Sequence, residues 1–235
     1  MRAQPSFERC KAFIDSQLHS DSKALAAVGL GEQWRAVTIS RLAGAGAHEV
    51  GEALAQHLQA HSPKNAPPWT QFDRNLVERV LRDHQLPERM ARFMTEDRIS
   101  ELHDTVDELF GLHPPSWTLV RQTADTILKL VELGRVIIVG RGGGIITRGL
   151  DYVFHVRLVG SLERRIQHVE EYYKLSRKEA AAFVEREDRG RRRFLRKYFQ
   201  LDIDDPLLYH VVINTDLVSY RQAGQMIGDA LLGRP

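Results

Sequence analysis

Short apolar runs alternate with longer amphipathic stripes along the chain. Ala36-Val37-Thr38-Ile39-Ser40 is β-prone and ends in a glycine-containing segment, after which Val50, Leu54 and Leu58 fall on one face of a predicted helix. Pro63, Pro67 and Pro68 close that unit, because proline cannot continue a helix. A short strand is predicted from Trp69 to Phe72. Leu76, Val77, Val80 and Leu81 then form one helical stripe and, beyond a charged stretch through Pro87, Ile99, Leu102, Val106 and Leu109 form another. Pro114 and Pro115 punctuate the chain before a helix carrying Val120, Ile127, Leu128 and Val131, with Gly134 just past its end. Val136 to Val139 is unbroken apolar sequence, as expected of a strand buried on both faces of a parallel sheet. Tyr152 to Val159 reads as the next strand, with Ser161 as N-cap of the helix that follows, and Ser176 with Glu179 fits a capping box for another. A last strand, Val211 to Ile213, precedes a helix with Ala223, Met226, Ile227, Ala230 and Leu231 on one side. About five strands alternate with helices and no repeat is visible, so the class is α/β with a mostly parallel sheet.

Residues 1–33 stand apart as a helical extension, with Phe7, Cys10, Phe13, Ile14 and Leu18 at three- and four-residue spacing. Cys10 is the single cysteine of 235 residues, which excludes an internal disulfide and a cysteine-built zinc site and suits a reducing compartment. Neither a signal peptide nor a membrane-length apolar run is present, so the expectation is a soluble, cytoplasmic protein without a membrane partner. Lys and Arg number 33 against 31 Asp and Glu; that +2 balance argues against a polycation built to coat nucleic acid. His57 and His61 have the spacing of a metal pair but no accompanying carboxylate, and Cys10 has no histidine beside it; neither reads as a site.

In an open parallel sheet, ligands bind beyond the C-terminal ends of the strands, which draws attention to four segments. Ser40 to Glu49 carries Gly44 and Gly46 before a helix; such a turn either wraps backbone N–H groups around a phosphate, aided by about half a positive charge at the helix N-terminus, or is simply tight. Asp73 ends the second strand with Arg79 further along the next helix, as a substrate pair or as a plain N-cap and a solvated arginine. Gly140-Arg141-Gly142-Gly143-Gly144 sets a guanidinium among exposed amides, to hold a phosphate bidentately or to face water. Residues 185–197 gather seven cations against three anions. Glu185 with Arg189 and Asp188 with Arg192 have the spacing of ion pairs within a helix, which leaves Arg191, Arg193 and Arg196 for a polyphosphate or a nucleic-acid backbone.

Taken in order, VTISRLAGAGAHEVGEALAQHL, FDRNLVERV, VIIVGRGG, EREDRGRRRFLRKYF and DPLLYHVVINTD resemble the cytidylate kinase-like group of nucleoside monophosphate kinases, over about Trp34 to Leu232. The resemblance implies a P-loop three-layer α/β fold within residues 34–235: five parallel strands in the order 2-3-1-4-5, a helical substrate-binding insert at 82–117 and an arginine-bearing lid at 186–207. It further implies that Arg41, Gly44, Ala45, Gly46, Ala47, His48 and Glu49 bind the ATP phosphates. Asp73, Arg79 and Arg141 would bind substrate; Asp188, Arg189, Arg192 and Arg193 would act in catalysis from the lid; Asn214 and Thr215 would frame adenine. ATP and Mg2+ are the implied cofactors and small nucleotides the partners, with CMP or dCMP the favoured acceptor.

One departure matters. A typical P-loop has lysine after its last glycine and then Ser or Thr for magnesium, whereas this chain has Ala47, His48 and Glu49. Glu49 is the one metal candidate, and a lid arginine or protonated His48 the substitute cation. Three readings stay open: a cytidylate-type kinase, a nucleotide-binding sensor without transfer chemistry, and, last, nucleic-acid binding through 186–197, which no aromatic platform accompanies.

Overall fold

The computed structural model describes residues 34–73, 118–140 and 142–233. The N-terminal extension with Cys10, the expected insert, Arg79 and Arg141 lie outside the described residues.

Five strands, β1 (Ala36–Arg41), β2 (Thr70–Phe72), β3 (Val136–Val139), β4 (Val153–Val159) and β5 (Val211–Asn214), form one sheet in the order β2-β3-β1-β4-β5. Every pairing is parallel, with Ile39 of β1 opposite Val139 on one side and Val156 on the other. The expected fold class and strand order are therefore observed. Helices α1 (Ala47–Ala60), α2 (Thr118–Leu133), α3 (Gly143–Ile146), α4 (Leu162–Tyr173), α5 (Arg177–Phe199) and α6 (Tyr220–Leu231) fill the connections and cover both faces.

The apolar stripes explain the layers. Val50, Leu54 and Leu58 of α1 pack with Val37, Ile39 and Ile137 of the sheet and with Ile227 and Leu231 of α6. Leu54 is fully buried, so its truncation to alanine costs about 2–5 kcal/mol. The face of α6 differs from its predicted one: Met226 and Ala230 are exposed, while Ala223, Gly224, Ile227, Gly228 and Leu231 are buried. Close approach to α1 is the reason, because a Cβ on Gly224 would lie 2.7 Å from the Leu54 backbone nitrogen. His57 spends its ring on the same interface, with Nε2 2.8 Å from Asp229 Oδ1.

The local signals at helix ends hold. Gly134 follows α2 at φ 80°, Ser161 caps α4, and Ser176 and Glu179 make both bonds of a capping box on α5. From that box α5 runs 23 residues without a break, straight through Gly190 and the arginine cluster, before a 3-10 turn at Pro206–Leu208. β4 contributes two buried polar side chains. His155 Nδ1 lies 2.8 Å from the Thr38 hydroxyl, and Arg157 donates to Ser40 Oγ at 2.9 Å and to Asp204 at 2.5 Å. No helix among the described residues is long and apolar enough to cross a membrane.

Candidate functional site

β1 ends at Arg41, and the chain then turns tightly into α1. Gly44 and Gly46 both adopt left-handed backbone, at φ 78° and 72°. Alanine at Gly44 would place its Cβ 2.4 Å from the Arg165 carbonyl oxygen, and at Gly46 2.1 Å from the Tyr220 ring, so α4 and α6 grip the turn from either side. As N-cap of α1, Gly46 offers no side chain to the first-turn amides. Those amides and the helix dipole thus make a cradle suited to an anion.

A buried ion pair holds the turn from behind. Arg165 of α4 donates from Nη1 to the Ala43 carbonyl at 3.0 Å and to Asp188 at 2.7 Å, and from Nε to the Gly160 carbonyl. Asp188 of α5 accepts the Ala43 amide at 2.7 Å. Both partners are buried, which is tolerable because each charge meets its opposite and several hydrogen bonds besides.

His168 and Glu49 add charge at the side of the turn. Both ring nitrogens of His168 face acceptors, the Gly44 carbonyl at 2.9 Å and the Glu49 carboxylate at 3.2 Å, so a ring that donates twice carries positive charge. The Glu49 hydrogen bond accordingly pulls the His168 pKa up, against the effect of burial. Burial works against the Glu49 charge, but the bond from His168, the Glu49 amide and the neighbouring His168 and His48 outweigh it and hold the carboxyl below its usual range. His48 turns aside from the turn: its Nδ1 lies 2.6 Å from Gln71 Nε2 on β2.

Two cavities meet above the sheet. One, of about 280 Å³, opens in front of the turn and includes all of Arg41 to Glu49 together with Asp73, His168 and Tyr173. The other, of about 300 Å³, is bounded by Gly140, Gly142 to Gly144, Ile145, Phe194 and Tyr209. Arg41, Glu187 and Arg191 belong to both. Arg191 donates to Glu187 at 3.2 Å and to Asp188 at 3.3 Å, which aims its guanidinium where the cavities join.

The structure thus brings Arg41, Gly44 to Glu49 and Asp73 together. It sets Asp188 behind the turn, bonded to backbone, and Arg189, Arg192 and Arg193 on a groove facing α4, away from both cavities. Thr215 donates to the Val159 carbonyl and lines a further hollow with Gly44, Arg164 and Tyr220; the Asn214 side chain accepts the Asp216 amide. Two expected pairings need correction. Arg192 bonds Asp204 at 3.0 Å instead of Asp188, because Asp188 turns inward to Ala43 and Arg165. Arg191, expected to be unpaired, holds Glu187 and Asp188, while Glu185 does pair with Arg189.

Arg165, His168 and Tyr220 were not singled out from the sequence. For α5 a signal existed: starting at the capping box, the buried positions run Ala180, Val184, Asp188 and Leu195, and Arg191 lies on that stripe three residues after Asp188.

An all-parallel sheet of this order, with a glycine turn leading into a helix at the end of its central strand, defines an α/β protein of the nucleotide kinase-like class. The family model described as the cytidylate kinase-like family matches residues 36–217, and the chain belongs to that family. Membership suggests nucleotide kinase-like function, and the family generally uses ATP and Mg2+. Among solved structures, the crystal structure of an uncharacterized protein from Eubacterium ventriosum ATCC 27560 matches with a TM-score of 0.65 at 19% identity, covering 86% of this chain and 100% of that one; it shows a shared fold. A search of curated proteins finds no match.

Proposed function

We propose that the protein transfers the γ-phosphoryl group of ATP to a nucleoside monophosphate, with CMP or dCMP the acceptor that family likeness favours. The observation that carries this reading is the junction of the two cavities at Arg41 and Arg191. The glycine-turn cavity suits the ATP phosphates and the cavity under Gly140 to Gly144 the acceptor, which leaves the two guanidinium groups beside the group in flight. An acceptor phosphate oxygen attacks the γ-phosphorus, the bond from that phosphorus to the β,γ-bridging oxygen breaks, and ADP and a nucleoside diphosphate result. The attacking oxygen is already anionic and needs no base. The work left to the protein is positioning and charge stabilisation, through the first-turn amides of α1, Arg41 and Arg191.

The residues present fit the family's metal on one condition. Among the described residues no cluster of three or more His, Cys, Asp or Glu could cage an ion. Magnesium, however, takes one or two carboxylates and completes its shell with substrate phosphates and water, and Glu49 and Asp73 line the same cavity. When bound it would neutralise phosphate charge. The lysine missing at Ala47 has its substitutes in Arg41, Arg191 and the cationic His168.

The test is a panel of nucleoside monophosphates with ATP and Mg2+, in which CMP should yield CDP. A second reading, nucleotide binding without transfer, draws on Ala47 and on the engagement of Glu49 by His168. ATP binding by calorimetry with no diphosphate formed from any acceptor would favour it over the kinase.

A further inference from the structure

The cluster at 185–197 divides between two sides of α5, and its outer side has no task in the cleft. Arg189, Arg192, Arg193, Arg196 and Lys197 all line a groove of about 1060 Å³ between α4 and α5. Arg189 is paired with Glu185 and Arg192 with Asp204. Arg193 and Arg196 are exposed and make no ion pair among the described residues. Arg196 and Lys197 complement the C-terminal dipole of α5, but the cations of the groove still outnumber the two carboxylates that line it, Glu185 and Asp188, and such a surplus of like charge suits an anion.

The rest of the groove differs in character. Ala181 and Ala182 form an apolar floor over the buried Ile166 and Val184, and Leu162 stands at the rim with 56% of its surface exposed. A cationic bank beside an apolar floor suits a molecule with a phosphate chain at one end and a less polar body at the other. The size decides between candidates. From Arg189 to Lys197 the stripe spans about 12 Å of helix, and no aromatic residue lines the groove to stack successive bases. That favours one small molecule over a nucleic-acid strand.

We propose that the α4–α5 groove is a second anion site, separate from the glycine-turn cavity, that takes a soluble polyphosphate ester such as a nucleoside triphosphate, with its phosphates along Arg189, Arg193 and Arg196 and its organic part on the apolar floor. The site stands whether or not the cleft transfers phosphoryl groups. Its inner wall is the Arg165–Asp188 pair that holds Ala43, so a bound anion lies directly behind the glycine turn.

The full-length chain separates the two sites. His48→Asp puts a carboxylate at the mouth of the glycine turn, where an acidic residue suits the first helical turn but repels phosphate. This variant should still bind inorganic tripolyphosphate by calorimetry, and ATP more tightly because of the floor. Adding Arg196→Glu and Lys197→Glu should weaken both by at least about tenfold, since charge-assisted contacts are replaced by repulsion. Tripolyphosphate binding that ignores the added changes, or that vanishes with His48→Asp alone, overturns the groove as a site. Equal affinity for ATP and tripolyphosphate overturns the role of the floor. Capture of a short single-stranded RNA through Arg196 and Lys197, with no tripolyphosphate bound, replaces the small-molecule reading with a strand. Absence of kinase turnover alters none of these outcomes, and circular dichroism of each variant confirms that it is folded.

Discussion

The two sides of α5 carry the same residue type into different surroundings. On the side facing the sheet, the Arg191 side chain is 21% exposed and is held by Glu187 and by the buried Asp188; on the other, Arg189 is 66% exposed and among the described residues pairs with Glu185. Three and four residues along a helix bring side chains to one face, while two carry them to opposite faces. A count of arginines cannot make this distinction. The buried stripe through Ala180, Val184 and Asp188 does, because it fixes which residues turn toward the strand ends.

The largest expected effect breaks the inner side. Asp188→Ala would leave the Arg165 guanidinium buried without its carboxylate and the Ala43 amide without its acceptor, a loss of about 3–5 kcal/mol. Urea unfolding measures it. A loss below 1 kcal/mol, the range of an exposed pair, would mean that the inner and outer sides are energetically alike.

Next in size is the kinetic contrast. Arg191→Ala should lower kcat/KM for phosphoryl transfer by about 10²–10³-fold, the range for removing one donor aimed at developing charge, whereas Arg189→Ala should change it only a few-fold. The reverse ranking would move the catalytic arginine to the outer side and with it the proposed site of reaction.

These two residues also show what could be read in advance. The strands, the Ser176 capping box and the glycine turn were legible because each is written locally, in spacing or in a residue type that one backbone conformation demands, whereas the order of the strands in the sheet followed from the family resemblance. The inner arginine was not, because i,i+4 spacing makes Asp188–Arg192 and Glu185–Arg189 equally plausible until the Ala43 backbone claims Asp188. Arg165 and His168 escaped notice for a related reason. Their partners, the Ala43 and Gly44 carbonyls, lie more than a hundred residues away in a turn, and no pattern of side chains announces a bond to backbone. For α6 the error was one of weight: a face of glycines looks empty in a hydrophobicity pattern, although close helix packing requires it.

The contrast between inner and outer charge extends to pH. Burial, followed by the neighbouring His210, depresses His155 in β4 to about 4 from the usual value near 6.5. As pH falls below about 6.5 the unfolded chain takes up a proton that the folded chain refuses until about pH 4. Stability is therefore complete above that window and declines through it, by about 3 kcal/mol in all. His168 has the opposite sign, since its raised pKa gives stability that is present at low pH and lost as pH rises through the folded value. Denaturant midpoints measured at pH 7 and near pH 4.5 should drop for the wild type, and the drop should shrink in His155→Gln. An unchanged slope would place the acid-sensitive proton elsewhere.

The smallest effect belongs to the outer side and is informative for being small. Glu185 and Arg189 are both about two-thirds exposed, so water screens their attraction and two long side chains must be ordered to meet. A double-mutant cycle with Glu185→Ala and Arg189→Ala should give a coupling of about 0.2–1 kcal/mol that fades as salt is added. A coupling as strong as that of a buried pair, or one indifferent to salt, would mean that Arg189 is spent on holding α5 together. The measured value thus decides whether Arg189 can turn from Glu185 to an anion in the groove: a weak, salt-sensitive pair leaves it able to do so, whereas a strong one would leave Arg193 and Arg196 to bind alone.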